Sequence, residues 1–290
     1  MIGSHRKLLE TPLPPAPGRR CLALTAVLLL ALTGCAEKKI SLSYRFPAGY
    51  QATYRWSIIS ITSKESPQEQ STRRLEAVLE MQESIAPGPG DRMTLTILLK
   101  PLSLKENGKQ GFKPPPSKVN YEIASDGRIL KVLAADLGPG AIASLELDAL
   151  ASETRPPLSA RPVGLGEIWN APLKLQSERS SIAFAGTGKL LGFDLVDSLR
   201  VARIETVRRG PVNSKQVLNK LPVTLKGFST SKALSLVNVD RGTLVSSDYQ
   251  SSSNFDVVLS SGTAARIKVS LTGKLQLIGH SSPPRTQAPG

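Results

Sequence analysis

The sequence predicts a mainly β protein, with long antiparallel strands forming a curved sheet or half-barrel and one short helix near the middle of the chain. Three observations predict it. Apolar and polar residues alternate with period two over long stretches. Gly-, Pro- and Asp-containing turn signals separate those stretches. One segment alone, rich in Ala and Leu, reads more readily as helix than as strand.

The elements follow in chain order. Leu42, Tyr44 and Phe46 alternate with Ser41, Ser43 and Arg45 and predict a first strand. Tyr50, Ala52, Tyr54, Trp56 and Ile58 alternate with mostly polar residues and predict a second. Residues 74–86 contain enough Glu, Leu and Ala for a helix, yet Leu75, Ala77, Leu79 and Met81 share one side of a strand, and the alternation favours strand. Pro87-Gly88-Pro89-Gly90 predicts a loop, residues 94–97 another strand, and Lys113-Pro114-Pro115-Pro116 a stiff extended connection. Asp126-Gly127 predicts a hairpin turn between strands at 121–124 and 129–132. Residues 140–152, with Ile142, Leu145, Leu147 and Leu150 spaced by Ala, predict the short helix. Asp240-Arg241-Gly242 repeats the hairpin signal between 234–239 and 243–245. The clearest strand is 265–277. Ala265, Ile267, Val269, Leu271, Leu275 and Leu277 form one face, and Arg266, Lys268, Ser270, Thr272, Lys274 and Gln276 the other. Residues 281–290 predict a disordered tail. The β-rich domain thus covers 41–280. It reads either as two related halves, 41–138 and 160–280, with Arg155-Pro156-Pro157 between them, or as one meander without internal symmetry.

The N-terminus reads differently. Residues 1–20 are Pro-rich and basic, and an apolar run from Cys21 to Leu32 follows. That run is about a dozen residues, short of the roughly 20 that span a bilayer, and Glu37-Lys38-Lys39 prevents its extension. It closes on Leu32-Thr33-Gly34-Cys35. This resembles the lipobox of bacterial lipoproteins: an aliphatic residue, a small residue, Gly or Ala, then Cys. The resemblance covers the leader alone. It implies that residues 1–34 are a signal peptide cleaved after Gly34, that the Cys35 thiol is the lipid attachment site, and that 35–40 is a lipidated tether. It places the domain in the cell envelope, outside the cytoplasm, and on the outer membrane if the host has one, because Ala36 rather than Asp follows Cys35. Two or three acyl chains anchor stably where one binds only marginally. The stretch from Tyr44 to Tyr50 and the stretch from Pro162 to Trp169 also resemble patterns in uncharacterised secreted β-rich bacterial proteins, which lend no activity.

Composition bounds the chemistry. The hydrophobic fraction of 40% is ordinary for a globular protein, but aromatics are only 4%, so the core must rest on Val, Ile, Leu and Ala. The chain carries +14, of which Arg6, Lys7, Arg19 and Arg20 against Glu10 account for +3, leaving +11 beyond the leader. A secreted domain of this charge favours anionic lipid or an acidic envelope polymer over nucleic acid. The cysteines are Cys21 and Cys35, so no disulfide survives processing. The histidines are His5 and His280, which leaves no base for a Ser–His triad and no zinc ligand set. Ser229 and Lys232 have the spacing of a Ser-x-x-Lys motif without its companion motifs. Gly186-Thr187-Gly188-Lys189 lacks the remainder of a phosphate loop and reads as a turn. Asp194 and Asp197 read as turn residues, and Trp56 and Trp169 as core. No catalytic residue, metal ligand or cofactor is expected. The expected function is a membrane-anchored, non-enzymatic envelope lipoprotein that binds a hydrophobic or anionic amphiphilic ligand; the alternative is a structural or protein-interaction lipoprotein with no small-molecule ligand.

Overall fold

The computed structural model describes residues 39–281 except 45, 48, 68, 137–154, 177–179, 219–220 and 260–261. The described strands are β1 (Gln51–Glu65), β2 (Gln70–Pro87), β3 (Arg92–Glu106), β4 (Lys109–Gln110), β5 (Ser117–Ala124), β6 (Ile129–Asp136), β7 (Ile168–Asn170), β8 (Leu173–Gln176), β9 (Ser180–Val196), β10 (Leu199–Leu218), β11 (Leu221–Asn238), β12 (Thr243–Leu259) and β13 (Gly262–Ser281). They form one sheet in the order β6-β5-β3-β2-β1-β13-β12-β11-β10-β9-β7, with β4 on β3 and β8 on β9, and every pairing is antiparallel.

The first and last long strands are neighbours. β1 pairs with β13 from Gln51↔Ser281 to Glu65↔Arg266, so both halves of the chain share one continuous sheet. The sheet curls until Cα atoms of β6 come within 8 Å of β8, yet no hydrogen-bonded ladder joins them and the curve stays open. Strands of this length acquire such curvature from their right-handed twist.

The period-two pattern decides which face turns inward. On β1 the buried residues are Ala52, Tyr54, Trp56, Ile58 and Ser60; on β2 they are Leu75, Ala77, Leu79, Met81, Glu83 and Ile85. Residues 74–86 are therefore strand, as their alternation predicts. Two apolar clusters fill the interior. The larger contains Tyr54, Trp56, Leu79, Met81, Leu99, Tyr121, Ile204 and Leu275; the smaller contains Leu173, Phe184, Val212, Leu225, Phe255 and Val257. Small and hydroxyl side chains lie along the inner wall of β11 and β12. Ser235 and Ser247 share a hydrogen bond of 3.0 Å, and Ser253 donates to Ser229 at 2.8 Å. Small residues here make room for rings from other strands. Trp56 Nε1 donates to the Tyr249 hydroxyl at 3.0 Å, and the Tyr249 ring lies over Gly273, where a Cβ would sit 2.2 Å from it.

The helix expected at 140–152 lies outside the described residues, and no helix occurs among those described. Two other expectations need correction. The segment 41–46 is not a strand of the sheet. Leu42 and Tyr44 are buried, but the ladder there is one bridge, Ile40↔Val163. Alternation records which side chains meet the core, and a segment laid across the end of a curved sheet can alternate without a pairing partner. Gly186-Thr187-Gly188-Lys189 is not a turn but the interior of β9. A Cβ on Gly188 would lie 2.4 Å from the Trp169 ring, so glycine serves close approach rather than chain reversal there.

Candidate functional site

The sequence-derived candidates do not converge. Gly34 and Cys35 lie outside the described residues. Ser229 is buried and bonded to Ser253, whereas Lys232 pairs with Glu205 at 2.5 Å on the exposed face. Residues three apart on a strand point to opposite sides, so the Ser-x-x-Lys spacing places no lysine near that hydroxyl. Asp197 occupies the β9–β10 turn with φ of 49°, and Asp194 pairs with Arg203 at 3.4 Å. His280 sits on β13 against the Arg241 guanidinium at 2.7 Å. No group of three or more His, Cys, Asp or Glu residues that could hold a metal ion occurs among the described residues. No described helix is long and apolar enough to cross a membrane.

A buried ion pair stands at the end of the sheet where residue 39 enters. Arg155 and Glu83 join through Nη2 and Oε2, with side chains only 4% and 2% exposed. The guanidinium lies 4.9 Å from the Tyr44 ring centroid and 5.3 Å from that of Phe46, which stack on each other. Arg155 begins a buried segment, 155–159, that stoppers this end of the curve. The Tyr44 hydroxyl donates to the Pro156 carbonyl at 2.7 Å, Trp169 Nε1 to the Pro157 carbonyl at 2.9 Å, and the Leu158 amide to the Asp126 carbonyl at 3.0 Å. The three residues between the sequence halves are thus core. Burial by itself disfavours the Arg155 charge, but the Glu83 carboxylate together with the Tyr44, Tyr54 and Tyr50 phenols more than offsets it and holds the guanidinium charged. Burial pushes the Tyr44, Tyr50 and Tyr54 phenols above their ordinary range, and the Glu83 charge adds to it. Nε and Nη1 of Arg155 have no hydrogen-bond partner among the described residues. The pair is closed off from solvent and joins the 155–159 segment to β2.

An accessible concavity lies on the outer face instead. It is a depression of about 430 Å³ across β13, β1, β2 and β3. Two cross-strand rows form it: Thr272, Ile59, Glu76 and Lys105, and beside them Lys274, Ser57, Val78 and Ser103. The volume falls within the roughly 300–1,000 Å³ of small-ligand clefts. Backbone of Ile58, Ala77 and Gly273 forms its floor, and the register shift between Val78 and Leu79 distorts its β3 side. Ile59 and Val78 give it an apolar surface. Lys105 and Lys274 make no ion pair with a described residue, whereas Glu76 is occupied by Arg74 at 2.8 Å. The chemistry offered is an apolar surface with two available ammonium groups. A second concavity, at Glu65, Ser66, Pro67, Asp256 and Arg266, is a rim feature of the β1–β2 turn.

Sequence reasoning missed both features. The outer depression had a signal: Ile59, Ile61 and Val78 break the alternation of β1 and β2 by placing apolar residues in the polar phase. The Glu83–Arg155 pair had none beyond a carboxylate on the apolar phase of β2, since its partner is 72 residues distant.

No family model matches the chain, and no curated protein matches it. Among solved structures it is similar to one titled "Lipid-protein interactions in lipovitellin", with a TM-score of 0.46 and 13% identity over 84% of this chain and 27% of that one. This chain therefore spans about a quarter of the length of that protein.

Proposed function

We propose that the chain is a non-enzymatic lipoprotein of the cell envelope, acylated on Cys35 after cleavage behind Gly34, whose β domain binds an anionic amphiphile. The observation that carries the ligand reading is the outer depression, where Ile59 and Val78 face a space flanked by the uncommitted Lys105 and Lys274. An acyl chain would cover the apolar floor, and a carboxylate or phosphate would meet the lysines. The Leu32-Thr33-Gly34-Cys35 motif supports the anchor.

The test uses the piece Lys39–Gly290, which contains every residue of both apolar clusters and so carries its own core. It is titrated with a fluorescent fatty acid at low and high salt. Burial of acyl surface contributes roughly 25 cal/mol per Å² and is little screened, so saturable binding should persist at high salt. Ile59→Trp should fill the depression and abolish it, while Lys274→Gln should weaken it several-fold. Binding that disappears with salt, or that Ile59→Trp leaves intact, sinks the assignment of this site. A specific observation favours a second reading, a structural or interaction lipoprotein: the inner face is occupied by two side-chain clusters and the 155–159 stopper. Absence of fatty-acid binding at either salt concentration selects it.

A further inference from the structure

An aromatic ring stands in solvent on the connection from β4 to β5, just past the turn that leaves β3. From 105 to 118 the chain holds Lys105, Lys109, Lys113 and Lys118 against the single carboxylate of Glu106. All four lysines are exposed, and none makes an ion pair with a described residue. Glu106 is occupied by Arg73 at 2.7 Å. The turn itself is well defined. Asn107 and Gly108 adopt φ of 50° and 79°, Lys105 pairs with Gln110 and Glu106 with Lys109, and the Gly111 amide donates to the Leu104 carbonyl at 2.9 Å. Leu104 is buried, so the hairpin is tied to the core at its base. Phe112 follows at 79% exposure, the most exposed large apolar side chain among the described residues. Pro114-Pro115-Pro116 then keeps the backbone extended, so the ring is held out on a stiff mount.

An aromatic residue beside several uncommitted lysines suits the headgroup boundary of an anionic bilayer, where the ring leaves water and each cation meets phosphate. An acidic polymer would satisfy the lysines but would leave Phe112 in water. We propose that the 105–118 hairpin docks on an anionic lipid bilayer, with Phe112 entering the interface and the lysines facing headgroup phosphates. The surface is separate from the ligand site proposed above except at Lys105, and it does not depend on acylation of Cys35.

The experiment sediments the Lys39–Gly290 piece with vesicles of phosphatidylcholine containing phosphatidylglycerol and with vesicles of phosphatidylcholine alone. Binding is expected only to the first, and it should weaken with salt. The double variant Lys109→Gln, Lys113→Gln should lower the partition coefficient about thirtyfold, at roughly fivefold per cation. Lys226→Gln, an exposed position on β11 outside both surfaces, should leave it unchanged. Phe112→Trp should be quenched by brominated acyl chains, which Trp56 and Trp169, inside the core, should not be. Vesicle binding without quenching of Phe112→Trp, or unaffected by the lysine variants, overturns the proposal. So does retention on polyglutamate with no vesicle binding. Either result leaves the fatty-acid titration intact, so the two proposals fail separately.

Discussion

Arg155 and Glu83 show how one pair of residues fastens two distant stretches of chain. Each charge alone would be costly in this interior, and together with the Tyr44 and Phe46 rings they form a neutral unit. Glu83→Ala should destabilise the protein by about 3–5 kcal/mol, because it strands a buried guanidinium. The double replacement Glu83→Leu, Arg155→Met should cost much less, and urea denaturation of both variants checks the difference. Equal losses would show that packing, not charge, governs the site. The tyrosines beside the pair set a pH limit. Their folded pKa values are raised, so their contribution is complete below the unfolded value near 10 and is lost as pH rises above it. Absorbance at 295 nm should show most tyrosine ionisation arriving together with alkaline unfolding rather than before it. Neither feature could be read from the sequence, because burial of Tyr44 and Glu83 depends on a segment some 70 to 110 residues further on.

At the scale of elements, β13 is the strand whose faces were most readable. Ala265, Leu271 and Leu275 are buried, Ile267, Val269 and Leu277 are half-buried, and Lys268 points outward to Glu65 at 2.9 Å. Val269→Asp should cost several kcal/mol by placing an unpaired charge against the smaller cluster. Lys268→Asp loses an exposed pair and sets like charges together, which should cost only about 1 kcal/mol. Thermal unfolding of the two variants would reverse the face assignment if their losses were equal. The alternation was reliable here because β13 lies between β1 and β12, with one face on the core along its length. It misled at the start of the domain, where Leu42 and Tyr44 are buried and Ser41 and Ser43 are less so but no ladder with a neighbouring strand forms beyond the Ile40↔Val163 bridge. The glycines of β9 misled for another reason. Their local signature matches a turn, and what requires them is close approach, of the Trp169 ring of β7 to Gly188 and of the Ala171 carbonyl and Arg208 side chain to Gly186.

For the whole molecule, the anchor and the fold are independent statements. Cys35→Ala should abolish incorporation of radiolabelled palmitate and leave the precursor uncleaved; normal processing and membrane retention of that variant would remove the lipoprotein assignment. The sequence by itself determined the β class, the hairpins at Asp126-Gly127 and Asp240-Gly242, and the inward phase of the long strands, because these depend on period-two hydrophobicity and on local turn chemistry. It determined the net basic charge and offered the lipobox-like stretch at 32–35, on which the anchor proposal rests and which is a contiguous signal. Only the tertiary structure decided that β1 and β13 are neighbours, that residues 155–159 stopper one end of the curve, and that Lys105 and Lys274 flank one depression. These juxtapositions join residues about 70 to 230 positions apart. They follow from strand order and register, which the alternation of a single strand leaves free, since any strand with the same phase could have been the neighbour.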